Sequence, residues 1–402
     1  MSSTPLHDFL KSHTASGVLS CHTPGHKGLM NPHDITEFSD EAVDVIRQSE
    51  RRCAELFGAE RSLFSTSGST LAIYAMLAPF AGGRISAVRG VHRSVIDAAI
   101  LLDIDIVWSD TPHGDCSAHF ITNIDYYGNV AKIPQDSPVP ILVDNAHGAY
   151  LVFTDSHPLK RGAEYNIAMV AESAHKTLPA LTGAAYLHIA DSRYVKPAED
   201  ALQLFGTSSP SYLILESLDL CNAHIALEKH KGAAAFGAAA ELKQRLTEWG
   251  YKLKDSDLLR VVIDCNAYGY DGRDYARELA QRGIIGEMSE PRYAILLFST
   301  ITEQADTQRV FAAMKAIEQK PPVARTGCQL STVNCQLTMR PREAYFAPKE
   351  TLPIAKAIGR VCAGIHVTTP PCAALIIPGE IISPEIAALL KQQGLETIDV
   401  SL

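Results

Sequence analysis

The stretch "AESAHKTLPALTG", residues 171–183, sets His175 and Lys176 side by side among small and apolar residues. The preceding "YNIAMV" reads as a buried strand, so the pair stands just past a strand's carboxyl end. A lysine there can carry its ammonium out to water along an apolar stem. It can also serve as an amine nucleophile toward a carbonyl. Two other stretches hold residues that would complete such chemistry. In "STSGSTLAIYAML" (65–77), Gly68, Ser69 and Thr70 stand between a strand and a helix. Hydroxyls there cap a helix start, or join its free N–H groups in a cup for phosphate. In "ILVDNAHGAY" (141–150), an apolar run ends at Asp144. A carboxylate at that place can bind a metal, cap the next helix or hold a cationic ring nitrogen.

Taken together, the three stretches fit one cofactor. Pyridoxal 5'-phosphate needs a lysine for a Schiff base, a carboxylate at its pyridinium nitrogen and an anion cup for its phosphate. The carboxylate keeps the ring protonated because opposite charge favours the charged form. Cup, Asp144 and Lys176 follow one another along the chain on successive strand ends. "VRGVHRSVID" adds His92 at a strand-to-helix junction, where an imidazole can stack on the ring or face solvent. No metal site is expected. The tightest histidine pair, His22 and His26 in "CHTPGHKG", is interrupted by Pro24 and Gly25, which break any helix able to aim both at one ion.

Elements that could position these groups are legible around them. Between 61 and 190, short apolar runs ("ISAVRG", "DIVWS", "VPILVD", "NIAMVAE", "GAAYLHI") alternate with helical ones ("LAIYAMLAPFA", "SVIDAAILLD"). Strands alternating with helices mean an α/β layer around a mostly parallel sheet. Ahead of it, residues 41–57 read as an amphipathic helix ended by Gly58, and the first 45 residues as a polar, turn-rich arm. Helical connectors span about 211–250, and residues 258–320 read strand, helix, strand, helix. The expected division is an arm (1–45), a large domain with connector helices (46–250) and a smaller C-terminal α/β domain (251–402).

The 402 residues are 46 % apolar and 20 % charged, a globular composition, and the longest apolar runs fall short of the ~20 residues that cross a bilayer. A net charge of −9 without a basic run argues against nucleic acid as a partner. Nine dispersed cysteines without a C-x-x-C pair, and no basic-then-apolar leader, read as reduced thiols in cytoplasm.

The sequence resembles the ornithine/lysine/arginine decarboxylase family of pyridoxal-phosphate enzymes, particularly its shorter bacterial members. The resemblance runs through "HTPGHKG" (22–28), "STSGST" (65–70), "VHRSV" (91–95), "VDNAHGAY" (143–150), "ESAHKTLPALTGAAYLH" (172–188), "GTSSPSY" (206–212), "PREAYFAPKETLPIAKAIGR" (341–360) and "IIPGE" (376–380). It implies the aspartate-aminotransferase-like architecture, fold type I. It implies Lys176 as the Schiff-base lysine, Asp144 at the pyridinium nitrogen, Ala146 and His92 on the two ring faces, and His147 near the ring edge. Gly68, Ser69 and Thr70 would take the phosphate, aided by Ser173 and His175, with Lys176 or His175 returning a proton to Cα. Thr207 would reach the phosphate of a neighbouring subunit, which implies a homodimer with shared active sites. The implied reaction is decarboxylation of lysine, ornithine or arginine to the amine and carbon dioxide. Glu380 would meet the substrate's distal cation, with Glu343 a weaker candidate.

The sequence departs from the family pattern at Arg93, where a lysine is usual, and in a shortened stretch after Glu37. It departs again in "TTPPCAALIIPGE", with Thr369 for a tyrosine and Cys372 and Ala374 for a glycine and a proline. These changes bear on substrate choice more than on the cofactor. An aminotransferase or carbon–sulfur lyase on the same scaffold is the alternative, since Arg260, Arg292 and Arg342 are available to clamp an α-carboxylate. A non-catalytic regulatory relative is a further one, opposed by the intact Lys176, Asp144 and cup.

Overall fold

A computed structural model describes residues 3–18, 20–36, 39–228, 232–323, 337–367 and 374–402. Glu37, Thr369 and Cys372, where the sequence departs from the family pattern, lie outside the described residues.

The first 45 residues are more than an arm. Helix α1 (Pro5–Ala15) starts on Pro5, whose fixed φ suits a first helical turn. Leu6 and Leu10, one turn apart, are fully buried against Cys53, Phe57 and Tyr212. Burial of each leucine is worth roughly 1.5–3 kcal/mol, enough to dock a short helix that would not persist alone. Helix α2 (Asp40–Phe57) is capped by Ser39, whose side chain accepts from Ala42 N–H, and is closed by Gly58 at φ 73°.

The central sheet has the order β1-β7-β6-β5-β4-β2-β3. Its strands are β1 (Arg61–Ser65), β2 (Arg84–Ala87), β3 (Asp105–Trp108), β4 (Ala118–Thr122), β5 (Ile141–Asp144), β6 (Ile167–Glu172) and β7 (Ala185–Ile189). Strands β3, β2, β4, β5 and β6 run parallel, while β7 is antiparallel to both β6 and β1. The β5 strand is buried along its whole length, as expected with helices on both faces. Register puts Thr122 opposite Asp144, and Asp144 opposite Ala171. The carboxyl ends of β4, β5 and β6 therefore form one row. Helices α3 (Gly68–Leu77) and α4 (Arg93–Leu102) start beside that row, and α5 (Ala174–Thr177) is the single turn that follows β6. The connectors are α6 (Val195–Phe205), α7 (Tyr212–Glu228) and α8 (Gly232–Glu248).

Residues 251–402, expected as one small domain, hold two separate cores. The first is the four-stranded antiparallel sheet β10-β11-β9-β8, built from β8 (Leu253–Lys254), β9 (Arg260–Asp264), β10 (Met288–Ser289) and β11 (Tyr293–Leu297). Helices α9 (Gly272–Gln281) and α10 (Gln304–Lys315) join it around Val261, Ile263, Tyr275 and Met314. The second core gathers Ile354, Leu375, Ile386, Leu390 and Val400. Its elements are α11 (Pro341–Phe346), β12 (Lys349–Pro353), α12 (Ile354–Ala357), β13 (His366–Val367), β14 (Ala374–Ile376), α13 (Pro384–Gln392) and β15 (Thr397–Ser401). It is pinned to the large domain. Arg342 donates to the carbonyls of Ile100 and Leu101 at the end of α4, at 3.0 and 3.1 Å. These are carbonyls that a helix end leaves without intrahelical partners.

Candidate active site

A cleft of about 450 Å³ opens at the carboxyl ends of β4 and β5. Among its walls are Ser69, His92, Thr122, Asp144, Ala146, His147 and Lys176. In an open α/β sheet this is where ligands gather. Lys176, Asp144 and Ser69, read from three separate stretches of sequence, thus meet in one place.

Lys176 is half-buried on α5, and its Nζ lies 3.1 Å from His147 Nε2. Tyr126 closes the other side, its ring centroid 5.7 Å from Nζ and 4.5 Å from the His147 ring in an edge-on contact. Burial first, and then the charge of Lys176, hold His147 well below the usual histidine pKa. It is a neutral imidazole whose Nε2 accepts from the lysine, with its proton on Nδ1. That Nδ1 is buried and has no hydrogen-bond partner among the described residues.

Asp144 is 3 % exposed and accepts from Ala146 N–H at 3.0 Å. Burial pushes its pKa up, while that N–H bond, His92 and Lys176 pull it down. His92 caps α4, its Nδ1 accepting from Ser94 N–H at 3.2 Å, with the Ser94 hydroxyl 2.8 Å away. Burial lowers the His92 pKa, and the nearby Asp144 charge works the other way. His92 lines the cleft.

Helix α3 begins without a side-chain cap on its first turn. Gly68, at φ 70°, turns the chain sharply and donates its own N–H to Gly183 O at 2.8 Å. That left-handed conformation strains residues with a Cβ. Ser69 lines the cleft and accepts from the Ser173 hydroxyl at 2.9 Å. Thr70 follows it in the same first turn. His175 points elsewhere: its Nδ1 donates to Ala184 O at 3.0 Å, and it does not line the cleft.

Other residues singled out in the sequence stand outside the cleft. Thr207 is exposed on the loop after α6, where its hydroxyl accepts from Ser209 N–H at 3.1 Å, and it lies outside the cleft. Glu380, the candidate for a substrate cation, is fully buried and already occupied. Arg89 clasps it through two nitrogens at 2.6 and 3.0 Å, Trp108 Nε1–H donates at 2.8 Å and Ile377 N–H at 2.9 Å. It is a latch between the C-terminal core and the large domain, and a carboxylate so satisfied has little left for a ligand. Glu343, the weaker candidate, sits in the first turn of α11 and is also absent from the cleft walls.

Sequence reading missed Thr122, Asp125 and Tyr126. The Thr122 hydroxyl is buried and unpartnered. Asp125 stands at the cleft, but its Oδ1 accepts from Tyr127 N–H and Asn129 N–H, both at 2.9 Å, and its Oδ2 from the Asn129 side-chain amide at 2.6 Å, so the carboxylate holds the following turn. A strand ending "FITNIDYYG" gave the one available signal, a polar residue at a strand's carboxyl end.

Behind the row lies a buried polar layer. The Asn123 side chain donates to Asn145 Oδ1 at 2.8 Å, and Asn145 donates to Glu172 Oε1 at 2.5 Å. His157 Nε2 donates to the same Glu172 oxygen at 2.8 Å. His188 Nε2 sits 3.4 Å from the other oxygen, at ion-pair range but without hydrogen-bond alignment, and its Nδ1 meets the Ser62 hydroxyl at 2.7 Å. Burial alone would raise the Glu172 pKa, but the two histidines outweigh it and hold it at about 2. One residue past β4, one past β5 and the last of β6 are thereby tied together.

The arginines that an aminotransferase would need are committed elsewhere. Arg260 is fully buried and paired with Asp257, Arg292 pairs with Asp264 at 2.8 Å, and Arg342 holds the end of α4. None of the three lines the cleft.

The family model described as Orn/Lys/Arg decarboxylase, major domain, matches residues 117–267. The chain is 27 % identical to an arginine decarboxylase of Bacillus subtilis, over 95 % of this chain and 92 % of that protein. It is 22 % identical to the lysine decarboxylase LdcA of Pseudomonas aeruginosa, over 96 % of this chain and 75 % of that one. Its fold is similar to the crystal structure of the Francisella novicida lysine decarboxylase LdcF, with a TM-score of 0.79 at 16 % identity, covering 99 % of this chain and 81 % of that chain. A Sphingomonas wittichii serine palmitoyltransferase is more distant, with a TM-score of 0.59 at 14 % identity over 78 % of this chain and 84 % of that one. Through the matched segment, which holds Asp144 and Lys176, and through relatives similar along nearly its whole length, the chain is similar to members of the ornithine/lysine/arginine decarboxylase family.

Proposed function

We propose that this protein is a pyridoxal-phosphate-dependent decarboxylase of a basic α-amino acid. The observation that carries the reading is the meeting of Lys176, Asp144, His92 and Ser69 in one cleft of a chain similar to that decarboxylase family. The residues fit the cofactor. The uncapped start of α3, with Ser69 and Ser173, suits a phosphate. Asp144 suits a pyridinium, and the buried, unpartnered Thr122 hydroxyl awaits a polar ligand.

When bound, the cofactor supplies an electron-withdrawing ring that takes up the electron pair of the breaking Cα–carboxylate bond. Asp144 would hold a proton on the ring nitrogen by its charge, and the same charge would offset the cost of burying its own carboxylate. His92 and Ala146 would pack against the ring. Lys176 holds the proton to be returned to Cα, and His147 Nε2, 3.1 Å away, orients its amine. His175 anchors the α5 turn through Ala184 instead of taking that proton. The committed arginines weigh against transamination. Glu380, clasped by Arg89, is not the partner of the substrate's distal cation. Thr207 remains exposed for a second copy of the chain, in keeping with a homodimer. Among the described residues no helix is long and apolar enough to cross a membrane. A small-molecule substrate and a cytoplasmic setting complete the reading.

The test supplies arginine, lysine and ornithine, with cofactor, and measures carbon dioxide against keto acid. Carbon dioxide with the matching amine is expected from at least one. Lys176→Ala should lower turnover on the order of 10⁴-fold and prevent borohydride from fixing the cofactor to the chain. Keto acid without carbon dioxide would replace this reading with transamination.

A further inference from the structure

Far from the cleft in sequence, two histidines converge on one carboxylate. His7 on α1 and His33 in the loop before α2 place their Nδ1 atoms 2.6 and 2.8 Å from the same Oε1 of Glu216 on α7. All three donor atoms lie within 4.8 Å of one another. Glu216 is buried and the histidines are half-buried, their rings edge-on with centroids 6.0 Å apart. We propose that His7, His33 and Glu216 form a binding site for a divalent transition cation of the zinc class, which fastens the N-terminal segment to α7.

The donor set fits that class. Two imidazoles and one carboxylate are the ligands zinc takes, at about 2.0–2.2 Å each, and a fourth tetrahedral position is left for water. Such bond lengths separate ligand atoms by roughly 3.3 Å, so each histidine Nδ1 needs to move from Glu216 Oε1 by only about 0.5–0.7 Å. Harder cations such as calcium and magnesium prefer all-oxygen sites.

The supporting shell is already built. His7 N–H donates to Asp219 Oδ2 at 3.0 Å, and Asp219 Oδ1 is held by the Ser49 hydroxyl at 2.6 Å. Asn222 braces Ser49 in turn at 3.2 Å. On the other side, His33 N–H donates to Asn31 Oδ1 at 2.9 Å. Both histidines are thus fixed at the backbone, and Glu216 stands on a long helix with Leu215 and Leu218 in the core. Rigid support of this sort distinguishes a prepared site from a chance gathering of polar side chains. Without a cation the same atoms form a hydrogen-bonded clamp, which is the competing account.

The experiment uses the full chain, stripped with chelator and dialysed against zinc. We expect one ion per chain in the wild type, and loss of that ion in both His33→Ala and Glu216→Gln. Asp219→Asn, which loosens the support of His7, should weaken binding about tenfold. X-ray absorption at the zinc edge of the wild-type protein gives a reading independent of variant folding, and should show nitrogen and oxygen neighbours with two imidazoles. No retained zinc, full retention in both variants, or sulfur in the ion's first shell would each overturn the proposal.

Discussion

Asp144 and Glu172 end neighbouring strands of the same sheet, and both are buried carboxylates. They live opposite lives. Among the described residues Glu172 has hydrogen bonds from Asn145 and His157 and an ion-pair contact with His188, and it is held ionised to a pH of about 2. Asp144 has one hydrogen bond, from Ala146 N–H, and burial pushes its pKa up. A buried charge is tolerable when partners replace the water it lost, and costly otherwise. The charge of Glu172 is therefore compensated within the layer behind the cleft, while the cleft floor keeps an unmet demand. That demand is a property of sites built to receive a charged ligand, and it is offset by stability stored elsewhere in the fold.

The sharpest way to break the contrast is to neutralise each carboxylate in turn. Asp144→Asn should lower carbon dioxide release on the order of 10²–10³-fold, as expected when an electrostatic partner of the reacting system is lost. The cofactor-free protein should be no less stable, and up to about 1 kcal/mol more stable, because a poorly compensated buried charge is gone. Urea unfolding of the apoprotein, read beside the activity, checks both halves. A large loss of stability would show that Asp144 belongs to the scaffold after all.

Glu172→Gln should do the reverse. The wild-type carboxyl ordinarily titrates near 4.5 and is held at about 2 in the folded chain. Its stabilisation is therefore complete above pH 4.5 and lost as pH falls from 4.5 toward 2. That shift corresponds to about 3 kcal/mol. The variant should lose about that much at neutral pH, and its stability should fall less steeply than the wild type's across that acid window. Urea midpoints measured from pH 7 down to the acid limit would reveal it. Parallel curves for the two proteins would mean that the histidines, and not the charge of Glu172, hold the layer together.

The same contrast explains what could be read without a structure. Lys176, Asp144 and the Gly68–Thr70 cup each sit where an apolar run meets small or polar residues, so a strand end and its chemistry share one short stretch. Groups whose meaning depends on a distant partner were illegible. Glu380 looked available for a ligand because Arg89 and Trp108, which occupy it, lie 291 and 272 residues away. Glu172 meets His157 from another loop and His188 from the next strand. Helix α1 was hidden for a related reason: only Leu6, Phe9 and Leu10 make its apolar stripe, and the groove they pack into is formed by α2 and α7. The split of residues 251–402 into two cores also depends on pairings between distant strands, such as β12 with β15.

Thr122 offers the finest test of the distinction between floor and layer. It ends β4 in register with Asp144, and its hydroxyl is buried with no partner. An unpaired buried hydroxyl costs about 1–3 kcal/mol, so a threonine kept there for packing alone would be better replaced by valine. Thr122→Val preserves shape and β-branching, and the apoprotein should gain roughly 1 kcal/mol in urea. If the hydroxyl belongs to the ligand-receiving floor, the same change should weaken cofactor binding to the apoprotein by about fivefold, the equivalent of one neutral hydrogen bond. The two measurements move in opposite directions only on that reading. A gain in stability with unchanged cofactor affinity would assign Thr122 to neither the floor nor the layer, and would leave Asp144 and Lys176 as the polar groups that define the cleft.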